Sequence, residues 1–115
     1  MMTDCIFCRI INQEIPANIA YEDDQVLIFH DLEPMAPIHL LAIPKKHIIN
    51  LNQAGDDDAS ELGHLQIVIG QVAEKMGFAA QGYRVISNCG KGVGQAVMHL
   101  HYHVMSGRPF SWPPG

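Results

Sequence analysis

The chain has 115 residues, 48% of them hydrophobic, and a formal net charge of -5. That length suits one domain with one compact core. An acidic chain without a Lys/Arg run argues against a nucleic-acid or membrane surface, and it shows neither a bilayer-spanning run nor a signal-peptide core after its short polar start, so the expected location is cytoplasmic.

Cys5-Ile6-Phe7-Cys8 comes first, with Asp4 placed to cap a short helix running on to Asn12. Cys-x-x-Cys has three readings: half a zinc site, a redox pair, or two small buried thiols. The redox reading asks for a preceding strand, and none precedes it. Three cysteines in all, an odd count, do not suggest a disulfide framework. Pro16 ends any helix. Residues 19–22 and 26–30 read as a hairpin turning at Asp23-Asp24. The segment 31–37 holds two prolines and reads as a loop. His39 to Ile43 forms a third strand, stopped by Pro44, with His47 on the loop beyond.

Asp56-Asp57-Asp58 opens the clearest helix, a solvated start that complements the macrodipole. Leu62, Leu65, Ile69, Val72 and Met76 recur at helical spacing and mark its core face. Gly77 ends it. Residues 83–88 alternate as a fourth strand. Residues 89–95 form a glycine-rich loop without the Gly-Lys-Ser/Thr ending of a P-loop. His99-Leu100-His101-Tyr102-His103-Val104-Met105 reads as the fifth strand, and 111–115 as a stiff aromatic tail docked on its own body or a partner. The expected architecture is α+β: a five-stranded antiparallel sheet with one long and one short helix, in a single domain 1–115.

A period of two puts His99, His101 and His103 on one face of that strand, and Leu100, Tyr102 and Val104 on the core face. Three imidazoles on one face point to catalysis, metal binding or both. A neutral imidazole can attack phosphorus or carbon and form a covalent intermediate. It needs a neighbour to fix its tautomer and a second group to protonate the leaving atom. Gly94 and Gln95 are expected to offer N–H donors to oxygens that gain charge. One metal shared by all three histidines is disfavoured. The outer two stand about 13 Å apart by strand rise, against metal–nitrogen bonds of about 2.1 Å.

The run from His99 to Met105 resembles the His-φ-His-φ-His-φ-φ signature of the histidine triad superfamily. Further likeness runs through Phe29-His30-Asp31, Ala36-Pro37 with His39, Ile43-Pro44-Lys45-Lys46-His47-Ile48, Gly94-Gln95 and Gly107-Arg108. The closing Trp112-Pro113-Pro114-Gly115 resembles the Hint branch. The resemblance implies hydrolysis of purine nucleoside 5′-phosphoramidates, of the adenosine 5′-monophosphoramidase type, in a homodimer whose sheets join into one. It implies His101 as nucleophile, His103 at the phosphate and leaving group, and His39 completing the cluster, with His99 supporting the strand. Ile6, Phe7 and Ile10 would meet the base; Phe29, His30, Asp31 and Leu32 the nucleoside, with Asp31 on the ribose hydroxyls; Asn88, Gly94, Gln95 and Val97 the phosphate side. The tail 107–115 would reach the partner's site through Trp112.

Two features qualify the likeness. Hint proteins often carry Ser after Gly-Gln, where this chain has Ala96. Some bacterial members bind a structural zinc through the Cys pair and two histidines, which match Cys5, Cys8, His47 and His99 here. No organic cofactor is implied. The alternative is a nucleotide-binding dimeric regulatory module with little turnover. A dinucleoside polyphosphate hydrolase is a weaker option, opposed by the Trp-Pro-Pro-Gly ending.

Overall fold

The computed structural model describes residues 4–115; residues 1–3 of the expected domain lie outside the described residues. Helix α1 (Ile6–Ile11) leads into strands β1 (Ile19–Glu22), β2 (Val26–His30) and β3 (Ile38–Pro44). Helix α2 (Ala59–Met76), strand β4 (Arg84–Ile86) and strand β5 (Tyr102–Ser106) follow. The strands form one sheet in the order β1-β2-β3-β5-β4, antiparallel at every pairing. This is the expected α+β architecture.

Both faces of the sheet are covered. On one, Val26, Ile28, Leu40, Ala42, Tyr102 and Val104 pack against Leu65, Val68, Ile69 and Val72 of α2. On the other, Leu27, Phe29, Leu41 and Ile43 pack against Cys5 and Phe7 at α1. Strand β2 therefore reads as a continuous apolar run, as doubly covered strands do. His39 and His103 share the α1 face, because Leu41 pairs with His103 and His39 with Met105.

Several local expectations change. Cys5, not Asp4, caps α1, its Sγ accepting the Cys8 N–H at 3.3 Å. A thiol turned inward to the cluster described below is already aimed at that N–H. On α2, Met76 is exposed and Leu62 half-buried, while Val68 and Ala73 are buried instead. Gly77 closes the helix at φ 88°, and Phe78 folds back to donate its N–H to Ala73 O and fill the core under the last turn. Asp58 is not solvated: it is buried and accepts from Gly55 N–H and Lys46 Nζ.

The largest change concerns the histidine run. Strand β5 begins at Tyr102, so His99 and His101 precede it. The β3–β5 register pairs Leu41 with His103 and Ala42 with Tyr102, which would bring Leu100 opposite Pro44. Proline has no N–H for a ladder. Leu100 donates instead to Ile48 O at 2.6 Å, and the chain bends over residues 97–99.

Candidate active site and candidate metal centre

His101 and His103 open onto a cleft of about 410 Å³ between α1, the end of β2 and the glycine loop. Ile6, Phe7, Ile10, Phe29, His30, Asp31, Leu32, Gly94 and Val97 line it as well. Eleven of the residues expected at a nucleotide thus meet in one hollow whose walls are apolar at one end and polar at the other. Ala96, after the Gly94-Gln95 pair, joins the lining, and so do Ile15, Pro16, Ala17, Glu33 and Leu41, which were not anticipated. They lack a motif of their own and arrive there by chain path alone. Another hollow, of about 450 Å³, runs past Cys5, His47 and Met98 on the far side of Val97; it does not reach His101 or His103.

The hydrogen bonds fix which ring nitrogens carry protons. His101 Nδ1 lies 2.7 Å from His99 O. A carbonyl only accepts, so Nδ1 holds a proton, and in the neutral ring the lone pair is on Nε2. His39 Nδ1 accepts the Met35 N–H at 3.0 Å, so a neutral His39 carries its proton on Nε2. That nitrogen donates to His103 Nδ1 at 2.9 Å, with Asp31 Oδ2 a further 3.4 Å contact. His103 then keeps its proton on Nε2. Side by side, with ring centroids 5.1 Å apart, stand an imidazole with a free lone pair and one with a free N–H.

Burial suits the neutral forms of His103 and His39. It lowers the pKa of His103, as do the neighbouring His101 and His39. It lowers that of His39 too, against the pull of the Asp31 carboxylate. Phe7 meets the His101 ring edge-on at 5.2 Å and so backs it against rotation.

Three expected contacts lie elsewhere. The N–H groups of Gly94 and Gln95 donate within the loop, to Lys91 O and Gly90 O, each at 3.1 Å, so they are not free donors to a ligand here. The Gln95 side chain is buried and braces the loop: it accepts from Asn50 and Gly90, and donates to Ile49 O and Val97 O. Asn88 is half-buried beside Gly94, at the rim. Trp112 is 83% exposed, out on the tail.

His99 turns away from the cleft and is fully buried. Its Nδ1 lies 3.3 Å from Cys5 Sγ, 3.5 Å from Cys8 Sγ and 3.2 Å from His47 Nδ1, and Cys8 Sγ is 3.3 Å from His47 Nδ1. All four donor atoms fall within 4.8 Å of one another. Tetrahedral zinc bonds of about 2.1 Å to nitrogen and 2.3 Å to sulfur set such donors roughly 3.3–3.8 Å apart. His99 Nε2 donates to Pro44 O at 2.8 Å, which leaves the Nδ1 lone pair aimed inward; a metal-binding histidine is held in the same way. Burial pushes the Cys8 thiol up to about 12, helped by its bond to Cys5 and the Cys5 charge, and brings His99 down to about 4. The cluster is a concentration of soft donors that can hold a metal ion.

Sheet order, cleft and paired histidines define a histidine-triad domain. The HIT domain profile matches residues 12–110. An uncharacterized HIT-like protein of Synechocystis sp. is 50% identical over 115 residues, the whole of both chains. A HIT family hydrolase from Legionella pneumophila is similar in structure, with TM-score 0.93, 45% identity, and 96% of this chain and 99% of that one covered. A histidine triad nucleotide-binding protein from Candida albicans gives TM-score 0.81 at 31% identity, covering 95% of this chain and 82% of that one. The chain belongs to the HIT domain family.

Proposed function

We propose that the protein is a hydrolase of purine nucleoside 5′-phosphoramidates, adenosine or guanosine, of the Hint type. One observation carries this reading: His101 Nε2 has a free lone pair beside the free Nε2–H of His103, at the polar end of the cleft. In the proposed reaction His101 Nε2 attacks phosphorus and forms a covalent nucleotidyl-histidine. The P–N bond breaks, and the amine leaves with a proton taken from a solvent water, while the His103 Nε2–H bonds the phosphoryl oxygen and stays on its ring. Water then cleaves the P–N bond to His101 and releases the nucleoside monophosphate. His39 orients His103 through its Nε2–H. Asp31 takes the ribose hydroxyls; Ile6, Phe7, Ile10 and Phe29 enclose the base; His30 and Leu32 flank the nucleoside, with Asn88, Gly94 and Val97 toward the phosphate and Gln95 as the brace of that loop.

Cys5, Cys8, His47 and His99 hold a zinc ion in this reading. Four protein ligands leave no open position, so its chemistry is structural and it takes no part in bond breaking. The domain spans 1–115 and works as a homodimer in the cytoplasm, without nucleic acid or membrane partners. Support for the dimer comes from β4, a sheet edge with Val85 exposed, and from the exposed Trp112 ring on the tail 107–115. Among the described residues no helix is long and apolar enough to cross a membrane. A second reading, a nucleotide-binding module with little turnover, draws on Ala96, which lines the cleft without a hydroxyl.

A turnover assay on adenosine and guanosine phosphoramidates decides between them. Wild type should release the nucleoside monophosphate, and His101→Ala should lose turnover while still binding nucleotide. A wild type inert on both substrates would sink the hydrolase reading.

A further inference from the structure

His99 belongs to two sites at once. Its ring is in the Cys5–Cys8–His47 cluster, and its carbonyl oxygen takes the Nδ1 proton of His101 at 2.7 Å. That carbonyl lies in one rigid peptide plane with the Leu100 N–H. The plane sits outside the β ladder, since β5 begins only at Tyr102. The Leu100 N–H instead bonds Ile48 O at 2.6 Å, next to the cluster residue His47. The peptide is therefore gripped twice from the cluster side: through the His99 ring, and through the His47-Ile48 segment. In a planar amide the N–H and C=O point in opposite directions, so holding one aims the other.

We propose that a divalent metal in the Cys2His2 cluster positions the nucleophile. By clamping His99 to His47, the ion holds the 99–100 peptide plane. The plane's carbonyl then selects the His101 tautomer whose Nε2 lone pair faces the cleft. His99 is thus a positioning residue, acting through its backbone. The inference rests on reading the cluster as a metal centre and goes beyond it, because a merely structural ion would leave the tautomer alone. Among the described residues nothing else on the His101 ring replaces this carbonyl: Phe7 makes an apolar edge contact and His103 a ring contact.

The test is imidazole nitrogen NMR on three forms of the whole protein: zinc-loaded, cadmium-exchanged, and metal-stripped under reducing conditions. His64, bonded to Asp23 through a turn at another edge of the sheet, is the internal control. Cadmium takes the same soft donors with longer bonds, so in cadmium protein that circular dichroism shows folded the His101 Nδ1 proton should shift from its zinc position by more than His64 does. In stripped protein that remains folded, His101 should populate both tautomers, and kcat on purine phosphoramidates should fall by about tenfold or more with KM little changed. If stripping unfolds the chain, the zinc–cadmium comparison decides alone. Metal bound at one ion per chain with His101 shifting no more than His64 overturns the coupling and leaves the metal centre standing. Failure to bind zinc at all, after reconstitution, overturns both.

Discussion

At the scale of single residues, neighbouring groups fix the tautomer of each of three chemically identical side chains. His101 is tautomer-locked by a carbonyl, His103 by His39, and His39 by the Met35 N–H. Replacing His39 with Ala should remove the donor to His103 Nδ1 and slow turnover by about 10²-fold or more, within the usual range for oxyanion donors; steady-state kinetics on a purine phosphoramidate reads this. The pH dependence has a definite sign. Burial lowers the folded pKa of both His39 and His103 below the ordinary 6.5. The unfolded chain therefore takes up protons first on acidification. Stability contributed by these neutral rings is present above pH 6.5 and is lost as pH falls toward their lowered values. Thermal unfolding at pH 7 and at pH 5 should give a lower Tm at pH 5. The sequence alone put His101 and His103 on one face, wrongly set His99 beside them, and offered His39 only by its likeness. It did not show that their roles are set by backbone groups, because a carbonyl or an N–H is the same at every residue and leaves no mark in the spelling.

At the scale of elements, one contact braces the site and another braces the fold far from it. Phe7 is buried and meets Phe29, His99 and His101 edge-on. Phe7→Ala should cost about 3–5 kcal/mol, as core aromatic deletions do, and should loosen the His101 ring; urea denaturation measures the first effect. At the far side, Asp23 latches the β1–β2 turn to α2. It accepts from Tyr21 and His64 and from the N–H groups of Gln25 and Val26. Burial alone would raise its pKa, yet these hydrogen bonds outweigh it and hold the carboxyl well below its usual range. Asp23→Ala should lower stability by about 1–3 kcal/mol and leave catalysis per folded molecule unchanged, which denaturant melts and an activity assay together decide. Element type was legible: β1 and β2 fall where the alternation and apolar run put them. The start of β5 was not, although its cause was in view. Pro44 breaks the ladder, but that matters only once the register places it opposite Leu100, and register is a tertiary fact.

At the scale of the whole molecule, the sheet carries two centres that meet at His99. A single stretch, residues 97–103, supplies the cleft, the cluster and the strand entry. The cluster was legible because Cys-x-x-Cys with spare histidines is a recognisable donor set; its depth and the grip on Pro44 O were not. Trp112 stands 83% exposed on the tail, so the contacts of the described residues do not account for its place. The most direct test of the central claim is mass spectrometry of the protein acid-quenched during turnover of adenosine 5′-phosphoramidate. The account predicts one nucleotidyl group per chain on His101 and none in His101→Ala. Turnover in wild type with the label on another residue, or undiminished turnover in His101→Ala, would contradict it.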